Sequence, residues 1–280
     1  MKKHLLATAL VASAAMLSGT AHAFDASTNA GDVTIQEDAV GSVTNTVTWD
    51  QIGGQYDEVF STTSATTFNT LAIFNALGYT LNTAAVASQI NAAFNGYGLY
   101  ALFQADGDFT ITGGNQVTFT GDTGVIELWV DKDQDTDTTG VISSIGTAIG
   151  NDLNTVKGAL GGTTSDDMLL GSASVLSFGE GNGTTDGEAN GNFELIFSEW
   201  VLTALGGDFF IAPNPFYTIL DLNGNFQEFN PTSQTDILLL GNSANGFFVS
   251  AVPTPGTLAL IGLGLLGLGS ARRSKAKSIL

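Results

Sequence analysis

Short β-prone runs alternate with glycine, asparagine, aspartate and threonine through the whole middle of the chain. Such punctuation leaves few windows long enough for a helix and favours many short antiparallel strands. Turn dipeptides recur at Asp106-Gly107, Gly113-Gly114, Asp186-Gly187 and Asn223-Gly224. The clearest strand candidates are Tyr97 to Ala105, Val117 to Gly121, Val125 to Asp131, Phe193 to Leu202 and Ile237 to Leu240. In the third of these, Ile126, Leu128 and Val130 alternate with Glu127, Trp129 and Asp131, the period-two signature of one buried face. The expected fold is all-β and mainly antiparallel, a β-sandwich or barrel-like single domain with one short helix. That helix is expected over Thr83 to Phe94, where Val86, Ile90 and Phe94 recur every fourth residue and Asn82 or Thr83 would cap. Gly179 to Asn192 reads as a long exposed loop.

The two ends have a different character. Lys2 and Lys3 precede an apolar stretch, Leu5 to Leu17, and Ala21-His22-Ala23 offers a small-x-small cleavage site before Phe24. This is the pattern of a secretory signal peptide over residues 1–23. A domain over 24–251 would follow, and then a tail over 252–280. The tail opens with Val252-Pro253-Thr254-Pro255-Gly256-Thr257, in which the prolines break regular structure and leave the backbone extended. The apolar run Leu258 to Ala271 would extend only about 21 Å as a helix, less than a hydrocarbon core of about 30 Å. Arg272, Arg273, Lys275 and Lys277 close the chain with positive charge, which favours retention on the cytoplasmic side.

Those tail residues resemble the PEP-CTERM sorting signal of Gram-negative bacteria, which exosortases recognise and cut. The family's usual Pro-Glu-Pro is Pro253-Thr254-Pro255 here, while Thr257, the apolar run and the pair Arg272 and Arg273 agree. The resemblance implies an exosortase partner, transient membrane contact through the tail, and delivery to the cell surface or extracellular matrix of an exopolysaccharide-producing cell. The body resembles the flocculation-associated PEP-CTERM surface proteins. The matching segments are Gly96 to Phe103, Phe119-Thr120-Gly121 leading to Leu128-Trp129-Val130-Asp131, Gly191 to Phe197, and Pro213 to Tyr217. This second resemblance implies a role in holding cells together, and it brings no catalytic residues.

Charge and residue inventory narrow the chemistry. Of 8 lysines and arginines in the chain, only Lys132 and Lys157 lie between residues 24 and 251, against 27 acidic residues, a formal net of −25 for that body. Such a surface repels phosphate backbones, so nucleic acid is excluded as a partner. Both histidines, His4 and His22, lie in the signal segment, and cysteine is absent. Catalysis by Ser-His-Asp or Cys-His sets, and zinc held by His and Cys, are therefore excluded for the body. With no disulfide available, stability must come from burial alone.

Carboxylates remain. Asp131, Asp133, Asp135 and Asp137 place acids at every second position just after a strand, a spacing that could hold calcium through oxygen ligands. Thr136 and Ile142 stand where an EF-hand needs glycine and glutamate, so only a looser calcium loop or a solvated acidic turn fits. Asp221-x-Asn223-Gly224-Asn225 is a fainter echo and reads as a hairpin turn. Glu127 with Asp131, and Glu194 with Glu199, are the carboxylate pairs a hydrolase would need, but strand geometry separates them. Trp49, Trp129, Trp200, Tyr97 and Tyr100 could stack on sugars or fill the core. The expectation is a non-enzymatic exported matrix protein that promotes flocculation or biofilm formation with exopolysaccharide. A secreted carbohydrate-binding module or carboxylate-dependent hydrolase is the alternative.

Overall fold

The computed structural model describes residues 31–41, 44–92, 96–112, 116–184, 191–226 and 235–249. The strands are β1 (Val33–Gln36), β2 (Thr46–Trp49), β3 (Gln51–Thr62), β4 (Thr67–Leu81), β5 (Ala84–Val86), β6 (Gly98–Thr112), β7 (Gln116–Asp131) and β8 (Thr136–Asp137). Further along come β9 (Gly161–Gly162), β10 (Met168–Ala173), β11 (Val175–Thr184), β12 (Gly191–Ser198), β13 (Val201–Leu202), β14 (Phe210–Ala212), β15 (Ile219–Phe226) and β16 (Asp236–Val249). Three short α-helices, α1 (Val141–Ile145), α2 (Leu153–Ala159) and α3 (Ala204–Phe209), lie between them.

Neighbours in sequence are neighbours in space. β3, β4, β6 and β7 pair in turn, every pair antiparallel. β10 and β11 then follow one another along β7, Met168 opposite Val130 at one end and Thr184 opposite Gln116 at the other. β11, β12, β15 and β16 continue the meander, and β16 returns to β3. Counting β10 and β11 as one wall strand, the result is a closed eight-stranded up-and-down barrel. Closure satisfies the backbone groups that edge strands would leave open.

Alternation assigns the two faces. Tyr56, Phe60, Phe68, Ala72, Ala101, Ala105 and Phe119 point inward, while Asp108, Thr110, Thr118, Thr120, Glu180 and Asn182 are exposed on the outside. At these positions the alternation, apolar inside and polar outside, is the reverse of that in a barrel wall that faces lipid. No helix among the described residues is long and apolar enough to cross a membrane.

Both ends of the barrel are filled by aromatic rings. At one end Phe60, Phe68, Phe109, Phe119 and Phe226 cluster with Val117, Ile237 and Leu239. Phe60 and Phe68 stack with centroids 4.5 Å apart. At the other end a small sheet, β14-β1-β2, delivers Trp49 and Phe210 against Tyr79 and Phe248. Each such ring contributes about 1.5–3 kcal/mol by leaving water. A second layer covers one outer wall. Val141, Ile142, Leu153 and Val156 pack on Val59, Leu71, Ile73, Tyr100 and Leu102, the outward residues of β3, β4 and β6. Those strands are therefore apolar on both faces, which blurs their alternation in the sequence.

Three expectations are corrected. No described residue between Thr83 and Ala92 is helical; Asn82 and Thr83 take positive φ of 50° and 70° and turn the chain so that β5 pairs with β4. Phe94 lies outside the described residues, as do Gly113-Gly114 and Asp186-Gly187. The predicted loop from Gly179 is strand as far as Thr184, paired with β12 and β7. Asp106-Gly107 and Asn223-Gly224 lie inside β6 and β15, not at turns. A Cβ on Gly107 would come within 2.1 Å of the Thr120 carbonyl oxygen, and one on Gly224 within 2.6 Å of the Phe193 ring. These glycines serve close approach rather than reversal.

Candidate functional site

β7 ends at Asp131, and the chain then leaves the barrel for the excursion that carries α1 and α2. Asp131 is 5% exposed. Its carboxylate accepts the backbone N–H of Asp135 at 3.2 Å and that of Thr136 at 3.0 Å, which curls the loop back over the strand end. Gln134 takes φ of 57° at the turn. β8 then pairs with β9, and β10 starts opposite Val130, so the residues just before β10 come alongside Asp131.

The consequence is a carboxylate cluster. Oxygen atoms of Asp131, Asp135 and Asp166 all lie within 4.8 Å of one another. Oxygens at opposite sides of a calcium ion stand about 4.8 Å apart, given bonds of about 2.4 Å, so this triplet can share one hard cation. Among the described residues, Oδ2 of Asp166 is buried and accepts no hydrogen bond. Asp167 stands beside the cluster, accepting from the Tyr100 hydroxyl at 2.7 Å and from the Thr136 hydroxyl at 2.8 Å.

Burial sets the electrostatics. Desolvation raises the Asp131 carboxyl above its ordinary range; the backbone N–H groups oppose this, and the Asp135 charge adds to it. Asp167 is also raised, first by desolvation and then by the charges of Asp131 and Asp166, against the pull of Tyr100 and Thr136. A bound cation would relieve both.

Sequence reasoning named Asp131, Asp133, Asp135 and Asp137. Asp131 and Asp135 meet, whereas Asp133 is exposed and belongs to no described cluster. Asp137 turns to the backbone N–H of Thr139 at 2.9 Å, a bond that lowers its pKa. Asp166 was missed because it lies 31 positions beyond Asp135, and only the β7–β10 register brings it close. The echo at Asp221 to Asn225 lies within a strand, which rules out the hairpin turn expected there.

The sugar-stacking and hydrolase candidates fare differently. Trp49, Trp200, Tyr97 and Tyr100 are core residues. Trp129 is half-buried, stacked on Tyr100 at 6.5 Å, with the Lys157 ammonium 5.5 Å from its ring centre. Glu127 accepts from Lys157 at 3.3 Å and from the Trp129 ring N–H at 3.0 Å, so it is engaged apart from Asp131. Ala21, Ala23 and Phe24, expected to form a signal cleavage site, lie outside the described residues. So do the tail residues Val252, Pro253, Thr254, Pro255, Thr257, Arg272 and Arg273.

No family model, curated protein or solved structure matches this chain.

Proposed function

We propose that the chain is a non-enzymatic exported surface protein that promotes flocculation or biofilm formation. In this reading an exosortase cuts the tail, and the acidic body is delivered to the exopolysaccharide matrix. Divalent cations then bridge its carboxylates to acidic polysaccharide or to further copies. Calcium is the expected ion, with Asp131, Asp135 and Asp166 as its side-chain ligands.

The observation that supports this best is where the carboxylates stand. Three of them converge within 4.8 Å at the end of β7, and among the described residues one oxygen of Asp166 is buried with no hydrogen-bond partner. The body also lacks histidine, cysteine and arginine, the usual carriers of nucleophilic and phosphoryl chemistry. A dense anionic surface is a physical adhesive only in the presence of a bridging cation.

Gene deletion tests the role. Loss of the gene should abolish calcium-dependent aggregation. The intact chain should restore it, and a chain ending before Val252 should not. Normal aggregation in the deletion strain would remove the proposal.

A further inference from the structure

The barrel is plugged at its ends but not filled in the middle. A cavity of about 110 Å³ lies there, walled by phenylalanine rings that include Phe74, Phe103, Phe119 and Phe193. Gly121, Gly179 and Gly181 line it where β7 meets β11, packed closely enough that a Cβ on Gly121 would stand 2.7 Å from the Leu176 side chain.

One carboxyl points into this space. Glu58 sits on β3 between Tyr56 and Phe60 at alternate inward positions. Glu180, the other acidic residue on the wall, has its side chain exposed on the outside. Glu58 receives a hydrogen bond from the Thr70 hydroxyl, its one side-chain partner among the described residues. The Tyr56 hydroxyl donates elsewhere, to the Asn225 carbonyl at 3.0 Å. The side chain keeps some accessible surface and lines the cavity, and burial lifts its carboxyl to about 7.

Glu37 offers an internal comparison. It is 1% exposed and is saturated by Asn45 Nδ2 at 2.5 Å, the Gln89 N–H at 2.7 Å and the Tyr97 hydroxyl at 2.9 Å. A buried carboxylate with a structural task is fully hydrogen-bonded. Glu58 is not, and an ionised carboxylate has about four acceptor sites. Water alone does not complete it well, since a buried water needs two to four polar partners and the rest of this wall is apolar.

We infer that the cavity binds a small apolar amine, with its hydrocarbon part among the phenylalanine rings and its ammonium against Glu58. The cavity is smaller than an engineered apolar cavity of about 150 Å³ that accepts benzene, so it suits a short alkyl chain, or one ring with the surrounding side chains yielding slightly. Aromatic faces attract a cation, and the ammonium supplies the donors that Glu58 lacks. A concave apolar site with one orienting polar group is the usual form of a small-molecule pocket. This site is separate from the outer acidic cluster and does not depend on the adhesive role.

Calorimetric titration of the purified protein with benzylamine and with toluene tests the inference. The unaltered protein should bind benzylamine at least tenfold more tightly than toluene. Glu58→Gln should lose that preference while still binding toluene, and Ala101→Leu, which fills the cavity, should bind neither. Should Glu58→Gln fail to fold, Thr70→Val takes its place and should weaken benzylamine alone. Benzylamine binding no tighter than toluene in the unaltered protein, or a preference that survives Glu58→Gln, would overturn the inference.

Discussion

The Tyr100 hydroxyl donates to the Asp167 carboxylate at 2.7 Å, tying the outer face of β6 to the segment that leads into β10. Tyr100 also stacks on Trp129, so one residue links the helical layer, the barrel wall and the acidic cluster. Removing the hydroxyl leaves Asp167 with Thr136 as its remaining donor. Tyr100→Phe is expected to destabilise the protein by about 1–3 kcal/mol in urea unfolding. The same change should weaken calcium-dependent stabilisation, because Asp167 helps to hold the loop.

Calcium itself is the second expectation. Saturating calcium should raise the melting temperature, and chelator should reverse the rise. An ion present at about 100 times its dissociation constant stabilises by about 2.7 kcal/mol. Asp166→Asn should remove the response, and Asp133→Asn should leave it intact. Identical melts with and without chelator would refute the site.

The Glu58 carboxyl gives a pH dependence of defined sign. Its ordinary value is 4.5 and burial raises it to about 7, so the folded state holds a proton that the unfolded state has released between those values. The stabilisation is therefore fully present below about 4.5 and is lost as pH rises through about 7. A shift of this size corresponds to a few kcal/mol, on the order of 1.4 for each pH unit. Unfolding free energy measured from pH 4 to 9 should fall less steeply in Glu58→Gln than in the parent. Parallel curves would show that Glu58 titrates normally.

Adjacent glycines in α3 should respond with opposite signs. A Cβ on Gly206 would stand 1.8 Å from the Leu170 carbonyl oxygen, whereas one on Gly207 meets nothing within 4 Å. Gly206→Ala is expected to cost about 1–3 kcal/mol through forced displacement of β10. Gly207→Ala is expected to gain up to about 1 kcal/mol from helix propensity. Thermal melts of the two variants decide this.

The all-β class was readable in the sequence because the inward residues of β7, Ile126, Leu128 and Val130, alternate with Glu127, Trp129 and Asp131 in a period of two. β6 was expected as a strand from Tyr97 to Ala105, but its outer face was not, since Tyr100 and Leu102 are buried under α1 and α2, a layer no local pattern announces. The helix expected near Val86 failed for a related reason. Its four-residue spacing was outweighed by the Asn82–Thr83 turn, which folds β5 onto β4. Two turn dipeptides misled because glycine serves close packing as readily as reversal, as Gly107 and Gly224 do.

Two of the three carboxylates of the acidic cluster were legible. Asp131 and Asp135 share a loop, and their spacing suggested calcium. Asp166 enters through strand register, which depends on the whole barrel closing. Glu58 was invisible as a candidate, because a glutamate next to Asp57 in a β-prone run reads as an outward residue until Tyr56 and Phe60 are seen to flank it inside.

Mass spectrometry of the protein recovered from outside the cell bears most directly on the surface role. A chain that begins at Phe24 and has lost Arg272 through Leu280 is the predicted species. Recovery of extracellular protein with Arg272, Arg273 and the following residues still attached would contradict the account.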